Sequence, residues 1–123
     1  VLEGVAFAIR DRAEIARSLG LTIAKSGLCG GGAKSELWRR IMANVLNLDL
    51  EVPESEQGAG YGGAILAMVA AGAYDSVRTA CRALQTPRTV YHPDPAIAAR
   101  YEARYQVFRT LYPALREIYP TFA

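Results

Sequence analysis

The residues best suited to chemistry form one contiguous run, Gly30-Gly31-Gly32-Ala33-Lys34-Ser35. Glycines bring no side chain and accept positive φ, so a flat ring or a phosphate can lie directly against the main chain. The chemistry implied is non-covalent capture of a nucleotide. Two familiar nucleotide loops come close and fail. A Walker A loop needs glycine directly before Lys34, where Ala33 stands, and the dinucleotide fingerprint needs glycine or alanine where Ser35 stands. A plain tight turn with no ligand satisfies the same spacing.

The neighbouring reactive groups read as structural. Lys34 invites a phosphate, but Ala33 breaks the loop that would aim it and Glu36 repels anions, so Lys34 is expected to point outward into solvent. Trp38 shares helical spacing with Met42 in an apolar stripe and is read as core, not as a stacking platform for a base. His92 lies in the turn sequence Tyr91-His92-Pro93-Asp94, with Asp94 as its neighbouring carboxylate and helix cap. The two cysteines, Cys29 and Cys81, are far apart and accompany a single histidine, which leaves no zinc set. No residue is assigned to catalysis or to a metal.

The glycine run must be positioned by the elements around it. Apolar residues at Leu2, Val5, Ala6, Ile9, Ala13, Ala16 and Leu19 predict a helix to about Leu19, with Gly20 at the C-terminal cap. Leu21 to Cys29 predicts a buried strand that feeds the glycine turn. Ser35 is an N-cap residue for a second helix carrying Leu37, Trp38, Ile41, Met42, Val45 and Leu46, and Asn47 ends it. Leu48, Leu50 and Val52 alternate with Asp49 and Glu51, a strand expected near a sheet edge because Pro53 halts it. Gln57 to Ala71, closed by Gly72, reads as a helix of small residues whose interior glycines require a close neighbour or a ligand. A short helix at Ser76 to Leu84, a turn-rich stretch from Thr86 to Pro95, and a last helix bearing Tyr101, Tyr105, Phe108, Tyr112 and Leu115 complete the chain. The alternation predicts a layered α/β fold.

Composition narrows the classes further. With 123 residues, 51% hydrophobic and 21% charged, the chain is of ordinary globular composition for one domain. A net charge of +2, scattered without a basic stripe, argues against a nucleic-acid partner. No apolar run approaches the roughly 20 residues that span a bilayer. Separated, unpaired cysteines suit a reducing cytoplasm. The chain opens on Val1 with helical periodicity already in place, and it is read as an excised piece of a longer protein.

Leu28-Cys29-Gly30-Gly31-Gly32-Ala33-Lys34-Ser35-Glu36-Leu37-Trp38-Arg39-Arg40-Ile41 resembles the adenosine motif of the FGGY carbohydrate kinases, especially its xylulokinase-like members. Three more segments agree in order. They are Leu2-Glu3-Gly4-Val5-Ala6-Phe7 with Arg10-Asp11, Glu56 to Ala64, and Tyr101 to Leu115. The resemblance covers essentially all of residues 1–123.

The resemblance implies the C-terminal part of an actin-like, ribonuclease-H-like ATPase domain, truncated on its N-terminal side. It implies that Gly30, Gly31, Gly32 and Ala33 meet the adenosine of ATP, that Ser35 lies at the base or ribose edge, and that the Gly58 helix walls the site. It also implies a full-length kinase, expected as a cytoplasmic homodimer, that phosphorylates a sugar hydroxyl, D-xylulose first among the choices. Glycerol, gluconate and ribulose, or a non-catalytic nucleotide-sensing module, are the alternatives. Asp11, Asp49, Asp75 and Asp94 match no catalytic aspartate of that family, so the base, the phosphate motifs and the seat of Mg2+ are expected upstream in cis, and this piece alone is expected to be inactive.

Overall fold

The computed structural model describes residues 1–54 and 58–118. In chain order the elements are α1 (Leu2–Ser18), β1 (Lys25–Gly27), a 3₁₀ turn (Gly31–Lys34), α2 (Glu36–Leu46), β2 (Asp49–Pro53), α3 (Ala59–Ala70), α4 (Val77–Ala83), β3 (Arg88–Tyr91) and α5 (Pro95–Leu115). Gln57, where the small-residue segment was expected to start, and Glu56, the first residue of the resembling stretch Glu56 to Ala64, lie outside the described residues.

The helix ends follow the cap chemistry. Gly20 (φ 86°) stands just past α1, where the Gly20 N–H donates to the Arg17 carbonyl and the Leu21 N–H to that of Ala16, a Schellman closure. Ser35 Oγ accepts from the Trp38 N–H at 3.3 Å to open α2, and Asn47 closes it in the left-handed region (φ 50°). Asp94 Oδ1 accepts from Ala96 and Ile97 at 2.8 and 3.1 Å, with Pro95 in the first turn of α5.

The sheet departs from the expectation at all three strands. Its order is β1-β2-β3, so β2 is central, parallel to β1 and antiparallel to β3. The supposed edge strand is flanked on both sides because Arg88–Tyr91, inside the stretch read as turns, pairs with Leu50–Pro53. Pro53 is the last residue of β2 and halts it there, but an end-of-strand proline says nothing about lateral neighbours. The strand predicted to be buried shrinks to Lys25–Gly27, and all three residues are exposed because β1 is an edge strand paired on one side only.

One face of the sheet is dry. Leu50 and Val52 point inward while Asp49 and Glu51 point out, and α2 covers the inner face with Ile41, Met42, Val45 and Leu46. On the open face the Glu51 carboxylate accepts from Lys25 at 2.6 Å and from Arg88 at 2.8 Å, tying all three strands together. Those two cations hold its carboxyl below the usual carboxylate range.

α1 and α5 pack beyond α2 through aromatic contact. Phe7 lies 6.0, 5.9 and 5.4 Å from the rings of Tyr101, Tyr105 and Phe108, the offset and tilted distances that such pairs prefer. The face read on the last helix ends there, since Tyr112 and Leu115 are exposed. Asn44, buried in α2, accepts from the Asp94 N–H at 2.7 Å and donates to the Arg40 carbonyl, which pins the start of α5 to α2.

Tyr105 is 2% exposed, and its hydroxyl donates to Asp11 Oδ1 at 2.6 Å. Burial, then that hydrogen bond to a carboxylate, push its pKa up to about 12 from 10.0. The folded state therefore retains a proton that the unfolded chain releases near pH 10. The contribution of this hydroxyl to stability is expected to be complete below about pH 10 and to be lost as pH rises toward about 12, by at most about 3 kcal/mol. Urea unfolding midpoints across that alkaline window, compared with Tyr105→Phe, check this. The variant should lose the decline that this hydroxyl causes.

Candidate functional site

Because β1 and β2 are parallel, their carboxyl ends open on the same side, the place where ligands of open α/β sheets bind. A cavity of about 350 Å³ lies there, within the range of roughly 300–1,000 Å³ for small-molecule pockets. Leu28, Cys29, Gly30, Gly31, Ala33, Lys34 and Arg39 line it from the β1 side, and Val52, Pro53, Glu54 and Gly58 from the β2 side.

The turn is built in a definite way. Gly30 adopts φ 83°, ψ −173°, a region open essentially to glycine alone, and it reverses the chain after β1. The Ala33 N–H then donates to the Gly30 carbonyl at 3.0 Å and the Ser35 N–H to the Gly32 carbonyl at 3.1 Å. Ala33 is thereby buried and Gly31 is left with open space on its bare face.

Of the six residues expected at the site, the fold brings Gly30, Gly31, Ala33 and Gly58 to the cavity wall. Gly58 is the extended residue that caps α3. Gly32 and Ser35 face elsewhere. Ser35 Oγ is committed to the Trp38 N–H. A Cβ at Gly32 would lie 3.1 Å from Trp38 Nε1 and 3.2 Å from Cδ1, so this glycine makes room for an indole and not for a ligand. Trp38 packs half-buried against the core. Lys34 is exposed and still reaches the cavity rim.

Gly32→Val is expected to overpack this contact and destabilise the domain by about 1–3 kcal/mol. The checks are a shifted indole N–H resonance of Trp38 and a lower urea midpoint.

Arg39, like Glu54, is a lining residue to which the pattern gave no role at the site. Its Nε donates to the Ala33 carbonyl and its Nη1 to the Tyr91 hydroxyl at 2.7 Å. A signal was available, because Arg39 sits one turn after the Ser35 cap and can fold back over the glycine run. Tyr91 could not be connected to it without β3. The fold also reassigns His92, whose Nδ1 lies 2.8 Å from Asp49 Oδ1 and not beside Asp94. The antiparallel register that sets Leu50 opposite Tyr91 places Asp49 near His92. Small residues in α3 gain no close neighbour among the described residues, since nothing lies within 4 Å of a Cβ built at Gly60, Gly62 or Gly63.

Residues 1–71 match the C-terminal domain of the FGGY family of carbohydrate kinases. The chain belongs to that family. The xylulose kinase of Escherichia coli K12 is 33% identical over 94% of the chain, which spans 24% of that enzyme. Among solved structures, the ligand-bound xylulose kinase of Lactobacillus acidophilus has a TM-score of 0.82 at 26% identity, over 100% of this chain and 25% of its own. The gluconate kinase of the same organism has a TM-score of 0.84 at 25% identity, again over 100% and 25%. This FGGY chain is thus xylulokinase-like and forms the C-terminal part of an actin-like ATPase domain, about a quarter of the length of those relatives.

The floor of the cavity is bare main chain at Gly30 and Gly31, its sides include the apolar Leu28, Val52 and Pro53, and two cations, Lys34 and Arg39, and one carboxylate, Glu54, stand at it. Among the described residues no three of His, Cys, Asp and Glu come together.

Proposed function

We propose that this chain supplies the adenosine wall of an ATP-dependent sugar kinase that phosphorylates D-xylulose. The observation that carries the reading is the cavity at the carboxyl ends of the parallel pair, walled by Gly30, Gly31, Ala33 and Gly58. Flat, uncharged main chain on one side and Val52 with Pro53 on the other present two surfaces between which a purine ring can be held. Ser35 and Gly32 contribute indirectly, by fixing α2 and Trp38 against the turn.

ATP supplies the phosphoryl group; the residues of this chain bind and orient its nucleoside end, and positioning of this kind carries much of the rate in phosphoryl transfer. Three of the four aspartates here have other work. Asp11 accepts from Tyr105, Asp49 pairs with His92, and Asp94 caps α5. We therefore assign the catalytic base, the phosphate contacts and Mg2+ to the upstream part of the full-length protein, and regard residues 1–123 alone as inactive.

The likeness to kinases named for xylulose and for gluconate supports leaving the choice of sugar to those upstream residues. We place the full-length protein in the cytoplasm; among the described residues no helix is long and apolar enough to cross a membrane. Leu2, Val5, Ile15 and Leu19 on or just after α1, and Val107 and Leu111 on α5, are exposed apolar side chains that support burial against further protein surface, in cis or in a homodimer.

The test is a coupled ADP assay of the full-length protein with ATP and a panel of D-xylulose, gluconate, glycerol and ribulose. Turnover with D-xylulose first among them is expected. ATP binding without ADP formation on any sugar would point to a nucleotide-sensing module instead.

A further inference from the structure

The glycine turn is not held by local geometry alone. Arg39 sits at the fourth position of α2, one turn after the Ser35 cap. What it does is reach back. Its Nε donates to the carbonyl of buried Ala33 and its Nη1 donates to Tyr91 Oη at 2.7 Å, while the guanidinium carbon lies 5.4 Å from the centre of the Tyr91 ring.

Tyr91 is the last residue of β3, opposite Leu50 of the central strand, and packs against the core. The bonds form one path from the Ala33 carbonyl through Arg39 and Tyr91 into the centre of the sheet. Tyr91 also lies outside residues 1–71, the stretch that matches the family's C-terminal domain, so the tail of the chain reaches the turn through this contact.

We infer that Arg39 and Tyr91 are a positioning pair that holds the 30–35 turn in its ligand-receiving shape before nucleotide arrives. Arg39 serves here better than lysine would, because the planar guanidinium offers separately directed donors to the carbonyl and to the phenol. Tyr91 does not line the cavity and meets the turn through Arg39. The inference rests on the adenosine reading of the cavity.

Tyr91→Phe isolates the pair, since it removes the hydroxyl and keeps the ring. In the full-length protein it is expected to raise the KM for ATP about tenfold, with kcat and the KM for the sugar unchanged. In the nucleotide-free protein, amide hydrogen exchange should quicken at residues 31–35, where the Ala33 and Ser35 N–H groups are bonded, and stay unchanged in α1 and α5. Arg39→Ala and Arg39→Lys should each quicken the same exchange and raise the KM for ATP at least as much, since Arg39 also lines the cavity, and adding Tyr91→Phe to Arg39→Ala should bring no further loss. If Tyr91→Phe alters neither the exchange nor the KM for ATP, the pair does not position the turn. If exchange quickens across the whole domain and both KM values rise together, the contact is a general structural one and the inference is overturned. A wild-type protein that neither binds nor turns over ATP overturns the adenosine reading and the pair with it, an outcome distinct from normal wild-type ATP use with an unaffected variant.

Discussion

Gly30→Ala is expected to weaken ATP binding to the full-length protein by about tenfold or more, with little room for rescue by relaxation. Space is not the obstacle, since nothing lies within 4 Å of a Cβ built at this position. The obstacle is conformation. At φ 83°, ψ −173° an L-residue is strained by about 1–3 kcal/mol, and the chain relieves that strain only by rotating Gly30 out of this region. Rotation moves the Gly30 carbonyl off the Ala33 N–H and with it the cavity wall that Gly30, Gly31 and Ala33 form. Gly4→Ala provides the contrast. That glycine lies within α1 with open space around it, and the same substitution should stabilise by about 0.5–1 kcal/mol. Isothermal titration with ATP measures the first effect and urea unfolding the second. An ATP affinity unchanged by Gly30→Ala would remove the turn from the binding site.

Tyr105→Ala is expected to have the largest effect on stability, about 3–5 kcal/mol. Tyr105 is among the largest side chains that the fold buries completely, and it is in contact with both halves of the helical layer. Its ring lies 5.9 Å from Phe7 on α1 and under the Arg10 guanidinium at 4.2 Å, and Arg10 in turn pairs with Glu14 and Glu102. Removing the ring leaves a cavity between α1 and α5, takes the partner from Asp11 and uncovers the buried Arg10. Hydrogen exchange of the full-length protein should show lost protection concentrated in α1 and α5, with β2 and α2 less affected. Tyr105→Phe keeps the packing and should cost only about 1 kcal/mol through the hydroxyl that meets Asp11. Equal losses for the two variants would contradict the packing account.

How much was legible in the residues differs by element. Helix limits were, because caps act over three or four positions. Gly20, Ser35, Asn47, Gly72 and Asp94 each stand at the end that their chemistry suits. Alternation along β2 was legible too, since Leu50 and Val52 face a dry layer while Glu51 faces solvent. β3 was hidden. It is a strand of four residues with no buried member, flanked by prolines, and it exists because β2 offers it an edge. With β3 hidden, the central place of β2, the pairing of His92 with Asp49 and the contact of Tyr91 with Arg39 were hidden with it.

The glycine run and its place between a strand and a helix are properties of the sequence, because positive φ and helix capping are local demands met by single residue types. Which faces of that run meet the cavity was decided by tertiary packing. Gly31 looks onto open space and Gly32 onto Trp38, although the two are identical and adjacent, because the indole on α2 occupies one side of the turn only. A glycine reports that something must come close to it. Only the folded neighbours determine whether that something is a ligand or the protein itself.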